Sequence, residues 1–450
     1  MAPPAPTSTH RLLPLSLGLF QTALLLFFAL FVTYDERSAM ASRAEDAERA
    51  AQQLHGTFPF FQDIQVMLAV GLGLLLAFLP RYGLSALTHS FLLLNFSLQW
   101  ALVLQGLLHH LQHGRVLLGL RNVLGAEFAA VTVLISLGAV LGRTSPCQLL
   151  AMAFCEVPVY VVTEWLIVTH LGVLDVGGTI TIHIFACYFG LGVSKALFGT
   201  AKPTAHPKET PTPRSDLMAL LGALLLWVFW PSFVAVLCRP GDAQHRAILH
   251  TLLALSVGAI TAVLASSLLG GGSKLSPCHL QNGSLAGGVA IGAVADVPIP
   301  AVAALALGSL SALACVLGFK FLSPLLARRM ALRDQGGIHN LHGLPGILGA
   351  VASMVAALVT ARDTEGSPEG GGGVTGHRQA LRQAAGLAVA LGSSLLAGML
   401  PGAALHLPCL GPPPEEFCFD DELYFKIQGQ GESPPAPGGT PEETPLAMKE

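Results

Sequence analysis

Charge is scarce in this chain. Asp, Glu, Lys and Arg together make up 11% of 450 residues, against about 25% in an ordinary soluble domain. That scarcity excludes a conventional water-soluble fold. The few charges nearly cancel, at a formal −3, which removes the electrostatic case for binding nucleic acid. Basic residues are scattered, with Arg328, Arg329 and Arg333 as the main local cluster. Cysteine offers no framework either. Eight are present with no C-x-x-C pair, and Cys155, Cys187 and Cys315 sit in apolar runs where small core side chains belong.

Apolar residues, by contrast, make up 52%. Twelve segments are each able to span the roughly 30 Å hydrocarbon layer: 12–33, 63–79, 84–108, 121–141, 147–169, 176–198, 217–238, 248–269, 284–299, 301–322, 341–360 and 381–405. The fold class expected is therefore all-α, a polytopic membrane protein of about twelve transmembrane helices. The ninth segment is short and broken by Asp296, Pro298 and Pro300. Arg11 precedes the first run, and Ala39-Met40-Ala41 resembles a signal-cleavage site. Secretory cores are only about 7–15 residues, so a run this long reads as a retained helix. Proline-rich stretches (Pro203 to Pro213, and Pro412 onward) and the Gly370 to Gly373 run mark loops and tail. The expected division is a membrane domain over 1–410 and a cytoplasmic tail over 411–450, disordered from about 429. Lys and Arg are in modest excess on the side that includes Arg81, Arg143, Lys208 and Arg333, which places both termini in the cytoplasm. The acidic 34–62 loop is then extracellular. The two N-linked sequons, at Asn95 and Asn282, fall inside a membrane segment and on the cytoplasmic side, so neither is expected to carry sugar.

One nine-residue pattern occurs twice. Asp175-Val-Gly-Gly-Thr-Ile-Thr-Ile-His183 and Asp334-Gln-Gly-Gly-Ile-His-Asn-Leu-His342 both read D-x-G-G-x4-H. Each opens an apolar segment, the sixth and the eleventh. An Asp at a helix start caps free N–H groups, and a Gly-Gly pair lets another backbone approach closely. Eight helical residues advance about 12 Å, so each His is expected near the bilayer midplane with its Asp at the interface. The two segments run in opposite directions. That predicts an inverted repeat, helices 2–6 against 7–11, with His183 and His342 meeting at one central pore. Intramembrane ionisable groups are costly and therefore functional candidates. A neutral imidazole pair shares a proton and offers a polar point in an apolar passage. A small molecule able to shed a proton, such as ammonium, fits this chemistry where a bare cation does not. A metal site would need His339 as third ligand, one turn away from His342. His89, His170 and His250 read as core histidines bonded to their surroundings.

Several stretches in order resemble the Rh branch of the Amt/Mep/Rh ammonium transporters: Arg81-Tyr-Gly, Val133-Leu-Ile-Ser-Leu-Gly-Ala-Val-Leu-Gly142, Thr181-Ile-His183, Trp230-Pro-Ser-Phe233, Leu285-Ala-Gly-Gly-Val289, Asn340-Leu-His-Gly343 and Phe419-Asp-Asp-Glu-Leu-Tyr-Phe-Lys426. The similarity runs through most of the chain. It implies a transporter of ammonium or ammonia in the plasma membrane, not an enzyme, with no cofactor or metal. It implies a homotrimer with one pore per subunit, a mixed Rh trimer being the alternative. His183 and His342 match the twin pore histidines. Phe128 and Phe233 match a stacked phenylalanine gate, although without the resemblance each reads as a plain apolar-face residue. Asp175 matches a buried acidic residue near the outer recruitment site, Glu164 an acidic position in the outer vestibule, and Asp334 the acidic residue on the inner side. Glu127 stands where the family more often has Asp, and Val234-Ala235 follows Phe233 where Asn-Ser or Asn-Ala is usual. Two other functions stay open beside transport. One is a non-conducting structural subunit, with a cytoskeletal partner on its tail, consistent with the missing loop sequon. The other is passage of carbon dioxide. Membrane lipid and ammonium, with methylammonium as its analogue, complete the expected partners.

Overall fold

A computed structural model describes residues 9–35, 44–109, 111–199, 205–364 and 375–426. Among these, eleven helices are long and apolar enough to cross a membrane. We number them with one shorter helix in chain order: α1 Leu12–Phe31, α2 Leu54–Leu75, α3 Gly83–His109, α4 Leu120–Val140, α5 Pro146–His170, α6 Thr179–Phe198, α7 Pro213–Ala235, α8 Asp242–Leu269, α9 Pro277–Ile291, α10 Ala301–Met330, α11 His339–Thr360 and α12 Gly376–Ala404. The expected all-α membrane bundle is the observed fold.

Two boundaries differ from expectation. The ninth segment, expected at 284–299, is helical over Pro277–Ile291 and gives way to turns from Gly292. Pro277 supplies the preset φ of a first helical residue, and Gln281 and Asn282 are buried inside the bundle rather than marking a loop. The second helix starts at Ala44, so most of the expected 34–62 loop is helical and its apolar part begins at Leu54.

Local chemistry accounts for several helix starts. Ser145 and Gln148 form a reciprocal capping box ahead of α5, with Pro146 following the cap. Thr212 and Ser215 do the same for α7. Helix α4 is buried on nearly every side while α1 is almost wholly exposed, as expected of a central strut and a lipid-facing helix. A three-stranded sheet caps one end of the bundle. It orders Val32–Tyr34, Arg115–Leu118 and Leu111–Gln112, the first pair parallel and the second antiparallel.

The other end gathers the α2–α3, α4–α5 and α6–α7 connections under residues 405–426. Asp421 caps the start of α3 through Leu84 and Ser85 N–H, at 3.0 and 2.7 Å. Arg143 pairs with Glu415 and Glu209, and buried Asp420 takes Arg81 and Lys208. We call this the tail end and the other the sheet end. The disordered tail expected from about 429, the proline-rich stretch up to 204 and the Gly370 to Gly373 run lie outside the described residues, as does Ala39-Met40-Ala41.

Candidate functional site

The duplicated motif folds twice into the same device. In each copy the second glycine has φ +68°, at Gly178 and at Gly337, a region disfavoured for residues with a Cβ. The turn this permits swings the Asp side chain back over the helix it precedes. Asp175 Oδ2 accepts from Ile180 N, Thr181 N and Thr181 Oγ1 at 2.8–2.9 Å. The Asp334 oxygens accept from Ile338 N and His339 N, both at 2.9 Å. Both carboxyls precede their spans. Burial pushes each up to about 6, against the lowering pull of these donors. Asp175 Oδ1 is buried and has no hydrogen-bond partner among the described residues.

The first glycine of each pair makes the close approach. Gly177 N donates to Gly292 O at 3.0 Å, at the end of α9, and Gly336 N donates to Gly138 O at 2.7 Å, near the end of α4. With helices 2–6 set against 7–11, α4 corresponds to α9 and α6 to α11. These two backbone bonds are thus one contact made twice, the internal symmetry that the repeat implied.

One expected dimension changes. The D-x-G-G stretch is a turn, so from helix start to His there are four residues (Thr179 to His183, Ile338 to His342), an advance of about 6 Å rather than 12 Å. Both histidines sit in π-helical turns, Thr179–Ile184 and His339–Gly343. Such turns are rare and frequent at functional sites, and nothing in the residue pattern announces them.

The structure brings His183 and His342 together, Nδ1 to Nδ1, at 3.1 Å with ring planes 12° apart. Both are buried. His183 stacks on Trp230 at 5.7 Å between centroids, and its Nε2 has no partner among the described residues. Phe128 and Phe233 stack at 4.7 Å, and Phe233 lies 6.3 Å from the His183 ring. An apolar cavity of about 20 Å³ touches His183, His342, Trp230 and Phe233. A single water needs about 10–15 Å³ on this measure, so one water-sized molecule fits. On the far side of His342 a space of about 130 Å³ opens toward the tail end, bounded by Asp216, Gln281, Asn282 and Gln335. The two share Leu72, Leu75, Ile135, Leu341 and His342 in their walls. Glu164 is half-buried on α5, at the same end of the bundle as Asp175.

The remaining histidines are occupied elsewhere. His89 Nδ1 meets Tyr82 Oη at 3.1 Å, His250 Nδ1 meets Ala295 O at 2.8 Å, and His170 packs edge-on to Trp165. His339 turns toward Tyr188 Oη at 3.5 Å. Sequence reasoning missed several polar partners. Gln65 donates to buried Glu127, Ser232 donates to Asp63 at 2.6 Å, and Ser136 donates to buried Glu156. Asp63 and Gln65 did leave a signal, as polar residues flanking the apolar run of α2.

A bundle with an inverted repeat, two buried histidines at its centre and small cavities on either side of one of them defines a membrane channel or carrier. The chain belongs to the ammonium transporter family, whose model matches residues 23–410. Members of this family are transporters and channels, not enzymes. The mouse ammonium transporter Rh type A is 39% identical over 426 residues, covering 92% of this chain and 94% of that protein. The rat ammonium transporter Rh type B is 38% identical over 436 residues, covering 95% and 96%. Among solved structures, Nitrosomonas europaea Rh50 aligns with a TM-score of 0.73 at 33% identity, over 86% of this chain and 94% of that one.

Proposed function

We propose that this protein conducts ammonia across the plasma membrane. Ammonium is recruited at the mouth holding Glu164 and Asp175, gives its proton to water at that mouth, and passes Phe128 and Phe233 as NH3. It then moves along His183 and His342 and regains a proton on the Asp334 side. The observation that carries this reading is the His183–His342 pair, joined at 3.1 Å inside an apolar cavity sized for one small molecule. A desolvated cation there would cost several kcal/mol, whereas a neutral amine exchanges hydrogen bonds with ring nitrogens. Asp175 Oδ1, buried and unpartnered, suits an N–H donor at the entrance.

The same reading assigns residues 1–410 to the conducting domain and 411–450 to a cytoplasmic tail, with both termini cytoplasmic. It takes the working unit as a homotrimer of single-pore subunits and needs no cofactor. The test is stopped-flow alkalinisation of proteoliposomes holding the purified protein. A rate well above empty liposomes, reduced by His183→Ala and by His342→Ala, is expected. A rate equal to empty liposomes would sink the conduction reading and leave a structural subunit, with the tail as its contact to cytoskeletal partners. Acidification of the same vesicles reports on carbon dioxide.

A further inference from the structure

The residues that precede the two stacked phenylalanines are both tied to one helix. Glu127, just before Phe128 on α4, accepts a hydrogen bond from Gln65 Nε2. Ser232, just before Phe233 on α7, donates to Asp63 Oδ2 at 2.6 Å. Asp63 and Gln65 are two residues apart on α2, so they project about 200° apart around its axis. Between them Ile64 and, one turn on, Leu68 are buried, and Leu68 lines the small histidine cavity. Helix α2 thus packs along α7 and reaches α4 through side chains, with one polar tether to each phenylalanine-bearing helix.

The α7 tether acts where the backbone alone is weak. Pro231 lies inside α7 and cannot donate to the carbonyl one turn back, which removes a helical bond beside Phe233. On the other flank Glu127 is fully buried and its second oxygen has no partner among the described residues. A buried carboxylate is costly unless hydrogen-bonded, so the Gln65 contact has one preferred geometry. Directly after Gln65, α2 passes into a π-helical turn, Met67–Leu72, which separates the tethering segment from the rest of the helix.

We propose that Asp63 and Gln65 are positioning residues that set the spacing of Phe128 and Phe233, and with it the size limit of the pore. This rests on the reading that the phenylalanine pair is the gate of an ammonia pathway. Loss of either tether lets one ring move away from the other, so larger amines gain more than ammonia does.

The experiment compares methylamine with ammonia permeability in proteoliposomes, at matched protein density and with thermal unfolding measured in parallel. Wild-type flux of ammonia establishes the underlying reading, and its absence removes that reading before the tethers are at issue. Ser232→Ala and Gln65→Leu are each expected to raise the methylamine-to-ammonia ratio, by up to about tenfold for one lost hydrogen bond of ordinary strength. Ser232→Thr keeps the hydroxyl and should keep the wild-type ratio. The exchange Gln65→Glu with Glu127→Gln rebuilds the bond with donor and acceptor reversed and should return the ratio toward wild type. A purely structural role would lower both fluxes and the unfolding temperature together without changing the ratio. An unchanged ratio in both Ser232→Ala and Gln65→Leu, or a raised ratio that the exchange leaves in place, overturns the proposal.

Discussion

His183 and His342 face each other through the same ring nitrogen, Nδ1 to Nδ1 at 3.1 Å. A neutral imidazole carries a hydrogen on only one of its nitrogens. One ring must therefore donate and the other accept, and the two hold opposite tautomers as a single unit. Residues that act as a unit give non-additive losses.

His183→Ala and His342→Ala are each expected to reduce methylammonium flux about tenfold or more, equivalent to at least about 1.4 kcal/mol of barrier. The double variant should lose no more than the worse single one. Initial rates in vesicles at equal protein density check this. A double variant whose loss is the product of the two single losses would show two independent sites.

Asp175 and Asp334 hold equivalent caps with unequal numbers of donors, three against two. Removing a cap typically costs about 1–2 kcal/mol. Asp175→Ala should accordingly lower the unfolding temperature more than Asp334→Ala. Asp175→Asn keeps one oxygen for the cap but places an amide where Oδ1 was, so it should recover most of the stability and little of the flux. If Asp175→Asn restores both, the residue is a cap and nothing more.

Glycine content of the motif is set by backbone geometry, so it too is open to test. Gly178→Ala and Gly337→Ala force a Cβ into φ +68°, at about 1–2 kcal/mol each for the backbone, and bring it against the Ile182 side chain and the Phe319 ring respectively, which must shift. Gly177→Ala is worse placed, because a Cβ there would lie 2.5 Å from the Gly292 Cα and backbone cannot move aside as a side chain does. The expected order of stability is wild type, then Gly337→Ala, then Gly177→Ala, read from thermal unfolding in detergent. Equal stability of Gly177→Ala and wild type would show that the α6–α9 contact is loose.

These residues explain why part of the site was legible before any coordinates. A left-handed turn, a backbone contact and a cap each demand a particular residue at a particular spacing, so Asp, Gly and His recur at matched positions. The phenylalanine pair obeys no such demand. Phe128 and Phe233 look like any apolar-face residue, and only the family resemblance singled them out. The ninth helix was displaced for a related reason. His279, Gln281 and Asn282 depress the hydropathy of its first half, while Val294, Ala295, Val297 and Ile299 imitate a span in a stretch that runs as turns and coil. Hydropathy measures transfer to lipid, and α9 is surrounded largely by protein, with ten of its fifteen residues buried. The length of helix ahead of each histidine was overestimated because a capped turn looks the same in sequence as a helix start.

Residues 411–426 strap the tail end of the bundle. Phe419 is fully buried, lies under the Arg143 guanidinium at 4.8 Å, and donates its N–H to Gly142 O at 2.8 Å. Truncating a buried aromatic costs about 3–5 kcal/mol, so Phe419→Ala should destabilise strongly although it lies outside the spans. Asp421→Ala removes the cap of α3 and should cost about 1–2 kcal/mol. The two residues share one strap, so the double variant should lose less than the sum. A chain ending at 410 should unfold well below one ending at 426, measured by thermal shift in detergent. Equal temperatures for the two truncations would mean that residues 411–426 rest on the bundle without holding it.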